Sequence, residues 1–346
     1  MSKVQAKAVT RICVLPKLSG VGGPASFYAR LCAELGVRGI EVVDDPLGLQ
    51  CEAVLVIGGT QRLFDLWQAR RRGVRIVQRL NGMNWVHRRR FTGVRHFFRS
   101  EVNNRVLAFI RRYLAHCIVY QSQFTRSWWR TVYRNVKANE RVVYNGVDLK
   151  EYAPCDRQAL PQDFIRLLIV EGRMGGGHEY GLNIGYQLSQ FLSRHADKKV
   201  EMVVVGDVPA HERERWKSEG NVQIRWSGII PRHDVPALYR SSHLLYTAEL
   251  NAACPNSVIE ALACGLPVVG FATGAIPELI GEYAGRYVPY GGNHWVLDPP
   301  DVISLAGAAY EVLCNREVFS RAARQRAEEA FDVHKMVDLY LDALMG

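Results

Sequence analysis

The chain has 346 residues, 48% hydrophobic and 23% charged, a length that suits two ordinary domains and a composition that excludes an intrinsically disordered protein. No apolar run approaches the roughly 18–20 residues of a transmembrane helix, and the basic start MSKVQAKAVTRICVLP reads as a short strand, not a signal peptide. The net charge of +10 is unevenly divided: residues 1–150 hold 26 Lys+Arg against 9 Asp+Glu, and the remainder hold 18 against 25, so the first half predicts an anionic partner.

In chain order the pattern is strand, helix, strand, helix. Strands are predicted at Arg11–Leu15, Ile40–Val43, Ala53–Ile57, Arg75–Leu80, Cys117–Tyr120 and Arg141–Tyr144. Helical stretches between them include Phe27–Leu35, Arg62–Arg72, Val102–Leu114 and Gln123–Tyr133. After Pro154 the alternation restarts with strands at Ile165–Val170, Val200–Val205, Val222–Trp226, Leu244–Thr247, Pro267–Phe271 and Arg286–Pro289. Continuous apolar strands alternating with helices predict parallel sheets covered on both faces. Two such series predict an α/β chain of two doubly wound, Rossmann-like domains, 1–154 and 155–330, with ligands at the carboxyl ends of the strands. Three helical stretches, 301–314, 316–330 and 333–344, end the chain, and the segment 331–346 is expected to return to the first domain.

Glycines at strand ends mark candidate phosphate loops, because a backbone without side chains lets N–H groups approach an anion. Gly20, Gly22 and Gly23 follow the first strand, and Gly172-Arg173 opens the second domain ahead of Gly175-Gly176-Gly177. The first loop does not fit a dinucleotide fingerprint and is also readable as a packing turn, and the second is also readable as a surface arginine beside a flexible turn. The richest stretch runs from Thr247 to Glu278. Pro255 suits a helix start, and the amides around Asn256, Ser257 and Val258 would form a positive end for an anion. Glu260 follows about one and a half turns later, within reach of a sugar hydroxyl, or else paired with a Lys or Arg on a solvent-facing surface. The eight cysteines form no Cys-x-x-Cys pair and lie mostly in apolar segments, which predicts reduced thiols in a cytoplasmic protein and no metal site.

The run PNSVIEALACGLPVV at 255–269, followed by TGAIPELIG at 273–281, resembles the nucleotide-sugar site of retaining glycosyltransferases of family 4, which have the GT-B fold. Asn145-Gly146-Val147-Asp148, Tyr120-Gln121-Ser122-Gln123-Phe124-Thr125, Val205-Gly206-Asp207 and Gly228-Ile229-Ile230-Pro231 match the same family in order and spacing. The resemblance implies a UDP- or GDP-linked sugar in the cleft between two domains, its nucleotide on the second. By it, Glu260 binds the ribose, the backbone at Ile229 and Ile230 frames the base, and Arg173, Gly172, Asn256–Val258 and the Gly22–Gly23 loop hold the diphosphate. It implies no cofactor, and the lack of an Asp-x-Asp motif agrees with a metal-independent site.

Three positions depart from the family. Ala252 stands where a glutamate contacts the transferred sugar, and Glu249 is the candidate substitute. His178 stands where a lysine pairs with the diphosphate, and Asn81 where the first domain has a histidine. The candidate catalytic residues are therefore Arg173, Asn81 and Glu249, and the alternative is a degenerate protein that binds a nucleotide sugar without turning it over. The segment from Asn84 to Arg99 mixes aromatics with Arg88, Arg89, Arg90, Arg95 and Arg99. With Trp85 it is expected to dock on the anionic inner face of a membrane and to bring a phosphate-bearing or lipid-linked acceptor; the acceptor classes expected are an envelope polysaccharide, a lipid-linked molecule or a secondary metabolite. No nucleic-acid module accompanies the basic half, and nucleic acid is not an expected partner.

Overall fold

The computed structural model describes residues 10–20, 22–48, 50–155, 160–174 and 180–346, with the side chain of Arg173 outside that description. Its first part contains β1 (Arg11–Leu15), α1 (Gly23–Val37), β2 (Glu41–Val43), β3 (Cys51–Ile57), α2 (Leu63–Arg71) and β4 (Arg75–Leu80). Then come α3 (Val94–Phe109), β5 (Cys117–Tyr120), α4 (Gln123–Tyr133) and β6 (Asn139–Val142). These six strands form one parallel sheet in the order β2-β1-β3-β4-β5-β6. The second part contains β7 (Phe164–Arg173), α5 (Tyr180–Ala196), β8 (Lys199–Asp207), α6 (Ala210–Arg215), β9 (Val222–Gly228) and α7 (Val235–Arg240). It continues with β10 (Leu244–Tyr246), α8 (Asn256–Ala263), β11 (Val268–Phe271), α9 (Ile276–Ile280) and β12 (Gly285–Val288). Its sheet is also parallel, in the order β12-β11-β10-β7-β8-β9. The helices α10 (Val302–Cys314), α11 (Arg316–Ala330) and α12 (Val333–Met345) end the chain.

Strands β5, β10 and β11 are apolar runs because both sheet faces are covered: every residue of the three is buried. The two sheets have separate cores, one around Ile12, Leu55 and Val77 and others around Leu168, Val203 and Val268. The predicted helix at Val102–Leu114 begins earlier, at Val94, and its last turn, Ile110–Leu114, widens to π geometry, with Ala115 N–H donating to Ile110 O. Gly93, which breaks the helical pattern in the sequence, is the residue outside the helix start; its φ of 93° suits glycine.

The helix α12 packs on the first sheet. Val333, Met336, Val337, Tyr340, Ala343 and Leu344 are buried at the spacing of one helical face. They join Phe27 and Leu31 in a common core, with Tyr340 and Phe27 ring centroids 5.1 Å apart. Asp332 caps the helix by accepting from His334 N–H at 2.7 Å. The chain thus passes between domains twice, and the two passages are bonded: Val147 N–H donates to Phe331 O and Val333 N–H to Val147 O, at 2.8 and 3.1 Å. Gly146 lies so close to the return segment that a Cβ there would stand 2.6 Å from Val333 Cα.

Candidate active site

The carboxyl ends of both sheets face one open cavity of about 1400 Å³ between the domains, where doubly wound sheets place their ligands. Gly22 and Gly172 meet across it: a Cβ on Gly172 would lie 3.9 Å from Gly22 Cα. Gly22 has φ 118° and precedes α1, so a side chain would be strained there. Nearby, Pro255 stands just outside α8, leaving the first-turn N–H groups of Asn256, Ser257 and Val258 without helical acceptors. Asn256, Ser257, Ile229 and Ile230 line the same cavity. Ile229 is exposed and Ile230 half-buried, as residues awaiting an apolar or stacking ligand can be.

Glu260 lines the cavity and is 8% exposed. Its Oε1 accepts from Arg30 Nη2 at 2.5 Å, and its Oε2 from the Tyr239 hydroxyl at 3.1 Å. Arg30 comes from α1 of the first domain, donates also to Gly146 O, and lies over the Tyr152 ring. The carboxylate therefore has an arginine partner, yet it is buried at the cleft and not solvent-facing. Each oxygen keeps acceptor capacity for a sugar hydroxyl.

Asn81 follows β4. Its Oδ1 accepts from Arg79 Nη1 and Gln121 Nε2 at 2.8 and 2.6 Å, which turns its amide nitrogen to a donor role. Arg79 is 1% exposed, with its guanidinium 3.9 Å from the Phe27 ring centre. It also donates to Asn145 Oδ1, and Asn145 Nδ2 donates to Asn256 Oδ1 and Cys254 O in the other domain. Burial pushes the Arg79 guanidinium below its ordinary value. Arg30, Arg79 and the bridging role of Asn145 escaped sequence reasoning. The detectable signal was an arginine inside the apolar run of β4, a placement that requires a buried partner.

Glu249 is open to the cavity, in the loop after β10; Glu171, at the end of β7, is half-buried. Glu171 Oε1 accepts from Ala248 N–H at 3.3 Å. Enclosure by the cleft walls raises both carboxyls, and the charge of Glu249 raises Glu171 further. Ala252 is buried, with its carbonyl accepting from Ala275 N–H. Gly172 and the backbone of Arg173 close the end of β7, where Met174 N–H donates to Asp207 O. The Arg173 side chain and all of His178 lie outside the described residues.

The basic segment divides. Trp85 lines the cleft and meets Trp295 edge-on at 5.3 Å, within an aromatic group that includes Phe124 and Trp128. Its ring finds apolar partners there, on the cleft side of the basic segment. Arg88 is engaged by Glu101 at 2.6 and 2.9 Å, and Arg90 lies over the Tyr180 ring of the second domain. Arg89, Arg95 and Arg99 are exposed. Beyond them α3 carries an exposed stripe of Val94, Phe98, Val102 and Phe109, continued by Tyr113.

Residues 178–330 match the sequence model described as "Glycosyl transferases group 1". A 118-residue segment is 29% identical to 2-deoxystreptamine N-acetyl-D-glucosaminyltransferase of Streptomyces fradiae. That segment is 33% of this chain and 26%, about a quarter, of the length of that relative. Sucrose-phosphate synthase from Thermosynechococcus elongatus has a similar structure, with a TM-score of 0.72 at 16% identity over 96% of this chain and 98% of that one. The Anabaena protein Alr3699/HepE, solved with UDP and glucose, has a TM-score of 0.69 at 17% identity over 97% and 99%. The chain has the two-domain, Rossmann-like fold of GT-B glycosyltransferases, with the group 1 glycosyltransferase match in its second domain.

Proposed function

We propose that this protein is a glycosyltransferase that moves a sugar, with retention, from a nucleoside-diphosphate sugar to an acceptor presented by the first domain. The observation that carries the reading is the convergence on one cavity of Gly22, Gly172, the free amides at the start of α8 and the buried carboxylate of Glu260. Amides and paired glycines suit a diphosphate; Glu260 suits the ribose hydroxyls beside it. As the bond from the sugar's C1 to the diphosphate breaks, charge grows on the leaving oxygens. Donors already aimed at that position then lower the barrier. The acceptor oxygen attaches to C1 on the same face, and its proton passes to the departing diphosphate. Arg173 is the proposed side-chain partner of that charge, and Asn81 a donor to a ring hydroxyl. The UDP bound in the similar Anabaena structures supports a UDP-linked donor.

For the acceptor we propose a phosphate-bearing or lipid-linked molecule met at the inner face of a membrane. The exposed stripe on α3, flanked by Arg95 and Arg99, has the apolar and cationic groups that an interfacial helix needs. A thermal-shift panel of UDP and GDP, followed by release of UDP or GDP from the matching sugar nucleotide, tests the donor reading. Ligand at about 100 times its dissociation constant stabilises by about 2.7 kcal/mol. Stabilisation with slow hydrolysis is expected; absence of stabilisation by either diphosphate overturns it.

A further inference from the structure

Beside the proposed diphosphate position the cavity holds an arrangement that nucleotide binding does not use. Glu171 at the end of β7 and Glu249 after β10 share it, and among the described residues neither has an ion-pair partner. Asn251, two residues beyond Glu249, lines the same cavity in a left-handed backbone conformation with φ 55°. It is 3% exposed, and neither its Oδ1 nor its Nδ2 has a hydrogen-bond partner. A buried carboxamide with both ends unmade costs stability, and a left-handed non-glycine residue adds strain. Tyr180 completes the wall, its hydroxyl accepting from Leu250 N–H at 3.1 Å. Arg79, a buried cation of the first domain that lines the same cavity, is committed to Asn81 and Asn145.

We propose that Glu171, Glu249 and Asn251 form a subsite for a protonated amino group on a sugar ring. This deepens the glycosyltransferase reading and rests on it. Neutral hydroxyls would leave the two carboxyls of one cavity wall to repel one another beside an anionic diphosphate. An ammonium supplies three N–H donors and one positive charge, enough to engage both carboxylates and Asn251 Oδ1 together. Asn251 Nδ2 remains to donate to a neighbouring ring oxygen. A substrate lacking the amino group leaves the buried Asn251 carboxamide and the two carboxyls of the cavity wall unpaired, which is how polar sites discriminate strongly. The amino group could belong to the transferred ring or to the acceptor ring facing it; both present the same chemistry.

Isothermal titration on the full chain separates these sources. UDP and GDP alone report on the nucleotide reading. UDP-glucosamine against UDP-glucose reports on the transferred ring, at a pH where the amine is protonated. Glucosamine against glucose, added to protein saturated with UDP, reports on the acceptor ring. The expected result is at least tenfold tighter binding of the amino form in one pair, lost in E249Q and in N251A while UDP affinity is kept. E171Q guards against a misfolded N251A, and it too should lose the preference. UDP binding with no preference in either pair overturns the subsite alone; binding of neither diphosphate overturns both readings. If Mg²⁺ or Mn²⁺ strengthens UDP binding and E249Q abolishes that effect, the carboxylates serve a metal, and the amino-group proposal falls.

Discussion

Removing Glu260 and removing its partner Arg30 should have opposite signatures, although the two side chains form one ion pair. Both are largely enclosed, each side chain 11% exposed, and they bridge α1 to α8 across the cleft. Glu260→Ala deletes a charged acceptor for the ribose hydroxyls, worth ~1.5–3 kcal/mol, so UDP affinity should fall about ten- to hundredfold. Arg30→Ala leaves the carboxylate in place, still held by the Tyr239 hydroxyl, and frees lone pairs that Arg30 occupied. Its UDP affinity should stay within a few-fold of the wild type. The stability cost is common to both. Breaking a buried pair by removing one member costs ~3–5 kcal/mol, and both variants should lose stability toward the lower end because the cavity admits water. Calorimetric titration with UDP and GDP, paired with urea unfolding, reads both quantities. Wild-type affinity in folded Glu260→Ala, or equal losses in the two variants, would refute the ribose assignment and leave the pair a purely structural clasp.

Three further outcomes follow from other parts of the molecule. Arg88 and His87 hold the Glu101 carboxyl down at about 2; a lowered folded value stabilises fully above the ordinary 4.5 and is lost as pH falls toward 2. The stability deficit of Glu101→Gln in urea should therefore narrow from pH 5 to pH 3, and a constant deficit would contradict this. Changing Arg95 and Arg99 together to serine should weaken binding to anionic vesicles about thirtyfold, at ~1 kcal/mol for each basic group; Trp85→Ala should leave it unchanged, and the reverse pattern would return Trp85 to the lipid face. Gly146→Ala forces a Cβ against the Val333 backbone at 2.6 Å; a loss of ~1–3 kcal/mol in urea unfolding is expected for such overpacking, and wild-type stability would mean the return segment yields freely.

Strands were readable wherever an apolar run was bounded by polar or turn residues. β1, β4 and β5 occupy Arg11–Leu15, Arg75–Leu80 and Cys117–Tyr120, the same spans that β-branched content marks. The helix starting beside Pro255 was readable for a similar reason, since proline and the following Asn-Ser announce a helix start chemically. What stayed hidden depends on partners far along the chain. Arg30 and Glu260 are 230 residues apart, and no local pattern says which of many arginines a carboxylate meets. Trp85 shows the same limit: aromatic and basic residues in one segment fix its composition, but only Trp295, on the loop between β12 and α10, decides where its ring points. The start of α3 was missed because Gly93 reads equally as an interruption and as the residue outside a helix start, and its conformation alone chooses between them.

The bonded double passage between domains makes the second domain, topologically, an insertion. Both ends of the first domain's excised segment meet at the pairing of Val147 with Asp332, and α12 restores the first domain's core after the whole second sheet has been built. During synthesis the first sheet must therefore wait with Phe27 and Leu31 uncovered until α12 emerges, whereas the second sheet has its strands together earlier. The same arrangement limits how the domains swing. Two neighbouring strands of backbone bend together about one line, as a strap hinge does, so the cleft can open and shut but the second domain cannot twist freely about a single tether.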